Sequence, residues 1–411
     1  MRCNFVWLVV WVCTLGSRAE YAIQDGDTVV FLGDSITAAR QYSKVIEEYT
    51  LLRFPGRKVH FINAGHGGET VKGSLERLRE AVFEAGATVV TVAYGVNDIG
   101  WGLKADEAHK QEYLTAIGTL IDRCQERGIR VFICSAAITA EAPDKAEQGF
   151  LQRMCDDGLA LAKAKGVGAI DVQRSMRVVQ RRVLAANAKQ PDSAKHVKLH
   201  AEDGIHLNEL GQMAMAFAIL HGLGAPADVS SATLDAAHGQ MVHTEACKIT
   251  DVQRSNDSLT FTRLDERLPL NLAPLWTLCA FYMPVGDELN RYLLTVTGLV
   301  PGRYELRAGG RLLGQWPATD FEHGLNIASA TADPWEPGGP WDAQGHALKT
   351  LTDVRDELVF ARRGMGFYLT AHPHFDELRA KVNALENGVL ELQHELAQPV
   401  PVRFSLRKIP D

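Results

Sequence analysis

Short apolar segments alternate with amphipathic segments over the first half of the chain. The apolar segments are rich in Val, Ile, Phe and Ala, and they are Thr28–Leu32, Val59–Ile62, Thr88–Ala93, Arg130–Cys134 and Ala169–Val172. Such runs are typical of strands that are buried on both faces of a parallel sheet. The segments between them are long enough for crossover helices: Tyr42–Phe54, Leu75–Ala85, Glu107–Arg127 and Lys145–Lys165. The pattern predicts an α/β fold for residues 20–225.

The pattern changes after Ala225-Pro226. Polar and apolar residues nearly alternate, as in strands with one buried face, over Ser258–Leu264, Tyr292–Thr297, Arg303–Arg307, Arg311–Trp316 and Val400–Arg407. Gly309-Gly310 fits a tight hairpin turn. We predict a loop over Asp333–Gly345 and helices over Ala347–Arg363 and Phe375–Ala397. Residues 226–411 are therefore expected to form a smaller α+β accessory region with β-sandwich-like strands and a helical pair.

The chain begins with an apolar run, Phe5 to Leu15, that follows Arg2. Ser17 and Ala19 provide small residues at the −3 and −1 positions of a cleavage site, so a signal peptide is predicted over residues 1–19. The run is shorter than the about 20 residues that cross a bilayer. An uncleaved anchor or a buried strand remains the alternative interpretation. We expect a secreted or periplasmic protein without stable membrane insertion.

Composition narrows the class of protein. The chain has 411 residues, 46% of them hydrophobic and 23% charged, which is typical of soluble globular proteins. The net charge of −7 and the lack of clustered Lys and Arg argue against a nucleic-acid partner. The cysteines after residue 19 lack Cys-x-x-Cys spacing, and Cys134 fits a buried thiol. We predict no metal site, and we interpret His196 and His200 as exposed loop residues.

Polar and glycine residues follow three of the predicted strands. Strand Thr28–Leu32 leads into Gly33-Asp34-Ser35, the second strand into Asn63–Thr70 with Gly68, and the third into Gly95-Val96-Asn97. Because parallel strands end at the same edge of a sheet, these residues are expected to converge there. A serine in this position is a candidate nucleophile if a base lies within reach. Its alternative interpretation is a helix N-cap.

A candidate base lies near the end of the α/β half, in Asp203-Gly204-Ile205-His206. The spacing lets Asp203 hold the imidazole of His206 in one tautomer while the other ring nitrogen acts as a base. Asp34, His66 and Trp101 are weaker candidates for substrate contacts. We interpret Trp335 and Trp341 as loop-anchoring aromatics, with a carbohydrate platform as the alternative. Glu47-Glu48 is predicted to be a solvated helix face.

Taken together, these blocks resemble the SGNH hydrolase superfamily, also called GDSL esterases and lipases. The family's four diagnostic residues match Ser35, Gly68, Asn97 and His206, with Ile36 where the eponymous leucine would stand. The resemblance covers about residues 24–224. It implies a flavodoxin-like three-layer α/β/α domain in which Ser35, Asp203 and His206 are catalytic and Ser35, Gly68 and Asn97 form the oxyanion hole. It implies no cofactor.

The expected activity is hydrolysis of a small-molecule or polysaccharide ester. Deacetylation of acylated carbohydrate is favoured, since the Gly-Asp-Ser-Ile-Thr form of the first block appears among carbohydrate esterases that the chain resembles. A lipase, lysophospholipase or thioesterase of the same superfamily is the first alternative. A catalytically inactive glycan-binding protein is the alternative of a different class.

Overall fold

The computed structural model of the protein describes residues 20–271 and 276–410, without the side chains of Trp276 and Thr277. The signal peptide predicted for residues 1–19 lies outside this range and stays a prediction. Within the described residues no helix is long and apolar enough to cross a membrane.

A five-stranded parallel sheet organises the N-terminal half, in the order β2-β1-β3-β4-β5. Its strands are β1 (Thr28–Gly33), β2 (His60–Gly65), β3 (Val89–Ala93), β4 (Arg130–Cys134) and β5 (Gly168–Ile170). The chain moves from β1 to one side for β2 and to the other side for β3. The carboxyl ends of β1 and β3 therefore border the switch point at which open α/β sheets bind ligands.

Helices cover both faces of this sheet. They are α1 (Ser35–Ala38), α2 (Gln41–Arg53), α3 (Val71–Leu78), α4 (Glu107–Gln125), α5 (Pro143–Ala146), α6 (Phe150–Ala164), α7 (Val172–Asn187) and α8 (Glu209–Gly222). Along β1, Val29 and Phe31 join a core with α2, α7 and α8, whereas Val30 and Leu32 join a core with α3, α4 and α6. This alternation confirms the predicted three-layer α/β/α fold with its flavodoxin-like strand order.

Two further sheets follow. A four-stranded sheet has the order β13-β10-β6-β7 and a five-stranded sheet the order β12-β11-β14-β9-β8. The strands are β6 (Asp228–Asp235), β7 (Gln240–Glu245), β8 (Cys247–Arg254), β9 (Ser258–Asp265), β10 (Arg291–Thr297), β11 (Arg303–Ala308), β12 (Arg311–Pro317), β13 (Leu325–Asn326) and β14 (Val402–Lys408). The buried Arg263 of β9 links the sheets by donating to Ser230 and to the carbonyl of Leu293.

The remaining helices lie among and after these strands. They are α9 (Trp276–Tyr282), α10 (Val285–Glu288), α11 (Ala318–His323), α12 (Pro340–Tyr368) and α13 (Phe375–Leu396). The last two form an antiparallel pair, so the predicted helical pair and the strands at the Gly309-Gly310 hairpin are confirmed. The loop prediction for Asp333–Gly345 is wrong from Pro340 onward, because proline at the first turn starts α12 there.

The interpretation of Trp341 as an anchoring aromatic is confirmed, whereas the prediction of a solvated Glu47-Glu48 face is wrong. Trp341 is buried, stacks on Phe404 and donates its indole N–H to the carbonyl of Ala328, so it anchors the core and offers no platform. Glu47 and Glu48 are buried rather than solvated, because the α12–α13 pair covers α2. The partners of Glu47, Arg355 and Gln393, lie 308 and 346 residues away in sequence, which no local pattern reveals.

Candidate active site

Ser35 lies where β1 ends and α1 begins. Asp34 caps α1 by accepting the backbone N–H of Ile36 at 2.9 Å, so Asp34, and not Ser35, is the N-cap. A Cβ at Gly33 would lie 2.1 Å from Thr37 Oγ1, which explains why glycine precedes this turn. The Ser35 hydroxyl is therefore free of a capping role and directed elsewhere.

The structure brings Ser35, His206 and Asp203 together in one hydrogen-bonded chain. Ser35 Oγ lies 2.9 Å from His206 Nε2, and His206 Nδ1 lies 2.5 Å from Asp203 Oδ2. Asp203 Oδ1 also accepts the backbone N–H groups of Ile205 and His206, each at 2.9 Å. These bonds hold the Asp203 pKa well below its usual value, with the His206 contact the largest cause. A charged Asp203 fixes the proton on Nδ1 and leaves Nε2 as the acceptor facing Ser35.

His200 supports the loop that carries this pair. Its Nε2 lies 3.0 Å from the carbonyl of Ile138, and the backbone of His200 pairs with Leu207. The backbone N–H of Ala140 also donates to the carbonyl of Gly204 at 2.8 Å. The prediction that His200 is exposed is wrong, because this contact between two loops buries it. His196 is half-buried and lies 2.9 Å from the carbonyl of Gln190.

The loop after β2 presents Gly68 in a left-handed conformation, with φ of +74°. A side chain at this position would be strained, and no atom lies within 4 Å of the place its Cβ would take. The backbone is thus exposed to a ligand at Gly68. His66, in the same loop, is exposed, and its backbone N–H donates to the carbonyl of Gly33 at 2.9 Å.

A buried polar cluster that the sequence analysis missed holds this loop in place. Glu69 forms a bidentate ion pair with Arg77 and accepts the hydroxyl of Tyr94. Arg77 also donates to the carbonyl of Ala64, at the end of β2. The i, i+8 spacing of Glu69 and Arg77 across the start of α3 is the one sequence signal that could have suggested the pair.

Asn97 and Trp101 form a second unpredicted contact. The indole N–H of Trp101 donates to Asn97 Oδ1 at 2.8 Å, which directs the amide nitrogen of Asn97 to the opposite side. That nitrogen donates to the carbonyl of Glu69 at 3.1 Å, next to Gly68. Trp101 is 54% exposed, and its ring meets the His206 ring edge-on at 6.0 Å. The structure therefore places Trp101 beside the Ser35–His206 pair.

Two carboxyl groups are buried beneath this edge. Burial raises the pKa of Asp34 to about 6 and that of Asp98 to about 7. Asp98 Oδ1 accepts the backbone N–H of Val71 at 3.0 Å, while Oδ2 is buried without a partner. In the part of the chain that the structure describes, no group of three or more His, Cys, Asp or Glu residues could hold a metal ion.

Comparisons with known proteins agree with this fold. Residues 31–214 match the model of the GDSL-like lipase/acylhydrolase family. No curated protein sequence matches the chain. Residues 31–214 thus form a GDSL-like, or SGNH, hydrolase domain, and the protein is an ester-hydrolysing enzyme.

One solved structure shares nearly the whole architecture. BT4096, a gut microbial diltiazem-metabolizing enzyme, aligns with a TM-score of 0.81 and 24% identity over 94% of this chain and 98% of its own. LAE5, an α/β hydrolase from the metagenome of Lake Arreo, covers 50% of this chain and 98% of its own, with 23% identity and a TM-score of 0.40. Axe2, an acetylxylan esterase of Geobacillus stearothermophilus, covers 49% and 96%, with 19% identity and a TM-score of 0.40.

Proposed function

We propose that this enzyme is a serine esterase that forms an acyl-enzyme on Ser35 and removes acetyl groups from acylated carbohydrate. The hydrogen-bonded chain from Ser35 through His206 to Asp203 is the observation that carries the proposal. A serine hydroxyl is a weak nucleophile until a base accepts its proton, and Nε2 of His206 lies at hydrogen-bond distance from Ser35 Oγ. The same chain argues against an inactive glycan-binding protein.

In the first half of the reaction, Ser35 Oγ attacks the ester carbonyl carbon as His206 Nε2 takes the hydroxyl proton. The carbonyl oxygen becomes an oxyanion, which accepts hydrogen bonds from the backbone N–H groups of Ser35 and Gly68 and from the Asn97 amide. His206 then returns its proton to the departing alcohol, and the acyl group stays on Ser35. Asp203 stabilises the imidazolium that exists between these two proton transfers.

In the second half, water attacks the acyl-enzyme with His206 again as the base. Collapse of the second oxyanion releases the acid and restores Ser35. Each oxyanion donor acts mainly in the transition state, so the loss of one donor lowers turnover by about 10²–10³. The open left-handed backbone at Gly68 and the directed amide of Asn97 support this assignment.

Trp101 supports a carbohydrate as the alcohol. Its ring is about half exposed and stands beside His206, which must protonate the leaving oxygen. A sugar ring that leaves from this position can place its apolar face on the indole. Asp34 and His66 remain proposed substrate contacts on the same edge.

The test compares p-nitrophenyl acetate with p-nitrophenyl palmitate and measures acetate released from acetylated glycans. We expect faster turnover of the acetate and release from at least one glycan, with both activities abolished in Ser35→Ala and kept in Ser255→Ala, an exposed serine elsewhere. A preference for the palmitate would favour the lipase alternative. Turnover at the native rate in Ser35→Ala would refute the nucleophile assignment.

A further inference from the structure

Helix α12 runs along the free edge of strand β2. Arg355 donates to the carbonyl of Phe61 at 3.3 Å, and Arg363 donates to the carbonyl of Gly65 at 3.2 Å. The N–H groups of His60 and His66 donate to carbonyls on the β1 side. Because backbone groups of successive residues in a strand point to opposite sides, the carbonyls of Phe61 and Gly65 point away from β1. The two arginines therefore satisfy carbonyl groups that would otherwise be exposed on the edge strand.

The spacing of these contacts fixes the direction of α12. From Phe61 to Gly65 the strand advances about 13 Å, and from Arg355 to Arg363 the helix advances about 12 Å. Helix and strand therefore run side by side in the same direction. Since α12 continues to Tyr368, it extends about 7 Å past the level of Gly65. The Arg363 guanidinium also lies 6.0 Å from the Phe367 ring, which brings this end of the helix near Gly65, the residue that precedes His66 in the loop.

The end of α12 carries exposed apolar side chains. Phe367 is 66% exposed and Tyr368 is 86% exposed, and their rings lie 6.3 Å apart. Phe360, two helical turns before Phe367, is also exposed, and the Arg40 guanidinium lies 4.8 Å from the centre of its ring. Arg40 in turn pairs with Asp356 at 3.0 Å, which ties the helix to the end of α1. Contiguous apolar surface at the rim of a catalytic site is typical of a ligand-binding groove.

We propose that Phe367 and Tyr368 form a second wall of the substrate cleft and bind a flat apolar ring in the alcohol portion of the ester. This wall stands on the β2 side of Ser35, and Trp101 stands on the β3 side. The proposal rests on the proposed deacetylase function: an acetyl group has one carbon beyond its carbonyl, so a ring that reaches α12 belongs to the alcohol.

The chemistry of the wall favours an apolar aglycone over a second sugar. Phe367 has no polar atom in its side chain, and Tyr368 offers a single hydroxyl. A sugar unit needs several hydrogen-bond partners to replace the water that it loses. An aromatic ring needs only a complementary apolar surface and gains from offset or edge-to-face contact with the two rings. The substrate class is therefore an acetylated glycoside that carries an aromatic aglycone.

Kinetics with two acetylated xylosides, one with a methyl and one with a 2-naphthyl aglycone, test this wall. We expect the native enzyme to prefer the naphthyl compound about 10-fold in kcat/KM through a lower KM. The double variant Phe367→Ala/Tyr368→Ala should lose this preference and keep its kcat on the methyl compound. Trp335→Ala, which removes an aromatic that is 86% exposed in a different loop, should keep it.

Several outcomes would overturn the proposal. The first is a double variant that prefers the naphthyl compound as strongly as the native enzyme does. The second is a native enzyme that shows no preference between the two xylosides. The third is a double variant whose kcat/KM falls on acetylated xylobiose instead of on the naphthyl compound. A binding measurement separates this result from failure of the proposed function. Calorimetric titration of Ser35→Ala with unacetylated 2-naphthyl xyloside needs no turnover, and the added Phe367→Ala/Tyr368→Ala change should raise its Kd about 10-fold. An unchanged Kd would contradict the wall even if esterase activity is found.

Discussion

Two hydrogen bonds orient the Asn97 amide: its oxygen accepts from the Trp101 indole at 2.8 Å, and its nitrogen donates to the carbonyl of Glu69 at 3.1 Å. Trp101 itself has a left-handed backbone, with φ of +58°, and its N–H donates to the carbonyl of Val96 at 2.9 Å. The surrounding turn thus holds an unfavourable conformation so that the indole reaches the amide. Trp101 is in this way a positioning residue for Asn97 as well as a proposed substrate contact.

Trp101→Phe removes the indole N–H and keeps an aromatic ring. We expect kcat on p-nitrophenyl acetate to fall about 10-fold, because the Asn97 oxygen loses its hydrogen-bond donor. The fall should be smaller than the one caused by removing the Asn97 amide itself, since the amide nitrogen keeps its bond to the carbonyl of Glu69. KM should change little. A raised KM with native kcat would show that Trp101 only binds substrate.

Asp98 predicts a pH dependence of stability. Burial raises the pKa of this carboxyl to about 7, so the folded protein binds a proton that the unfolded chain has lost above about pH 4. Its contribution to the free energy of unfolding therefore falls as pH rises from about 4 to 7, by at most about 4 kcal/mol. Asp98→Asn should reduce the slope in denaturant titrations across that range, leaving the part that the raised pKa of Asp34 contributes.

The exposed Asp106 provides the control for this titration. Its pKa is lowered by hydrogen bonds from His109, so Asp106→Asn should leave the slope between pH 4 and 7 nearly native. A wild-type slope in the Asp98→Asn variant would mean that another group is responsible for the dependence.

At the scale of elements, the sequence predicts the central sheet well and the packing around it poorly. The five apolar segments become β1 to β5 with ends shifted by a few residues, because a strand buried on both faces has an unmistakable composition. The positions of Ser35, Gly68 and Asn97 are predictable for the same reason, since each follows a strand. Asp203 and His206 instead lie between α7 and α8, and their mutual spacing is the signal that suggests them. The Glu47–Arg355 pair is not predictable, because a tertiary contact alone brings its members together. The spacing of Glu69 and Arg77 could have suggested that pair, but only the fold brings Tyr94 to it.

The contact between α2 and the α12–α13 pair contains a buried ion pair. Glu47 pairs with Arg355 and accepts the amide of Gln393 at 3.0 Å, and Gln393 also donates to Thr352 at 2.8 Å. Removal of one partner leaves a buried charge without compensation, which lowers the free energy of unfolding by about 3–5 kcal/mol. This contact therefore holds the helical pair against the α/β half.

Arg355→Leu should lower the free energy of unfolding by about 3–5 kcal/mol in chemical denaturation. Lys381→Ala, which breaks an exposed pair with Glu377 on α13, should lower it by no more than about 1 kcal/mol. Equal effects of the two variants would show that Glu47 is solvated in solution, as its local sequence suggests.

At the scale of the whole molecule, a single hydrophobic core crosses from the α/β half into the accessory region. It includes Phe31 and Leu220 on one side and Leu294 and Phe404 on the other. The buried Arg53 of α2 reinforces it by donating to the carbonyl of Leu289 at 2.8 Å. The accessory region therefore braces the α/β half in addition to supplying α12 at the cleft.

Cooperative unfolding follows from this shared core. Esterase activity, far-ultraviolet circular dichroism and tryptophan fluorescence should be lost in one coincident thermal transition. Two separated transitions, with activity lost in only one of them, would show that the halves are energetically independent.

The central claim is that His206 activates Ser35, and covalent labelling tests it most directly. A fluorophosphonate probe, followed by peptide mass spectrometry, should place one adduct on Ser35. Labelling should be absent in Ser35→Ala and slowed by about 10²-fold or more in His206→Gln. An adduct on another residue, or labelling of Ser35 at the native rate without His206, would contradict the account.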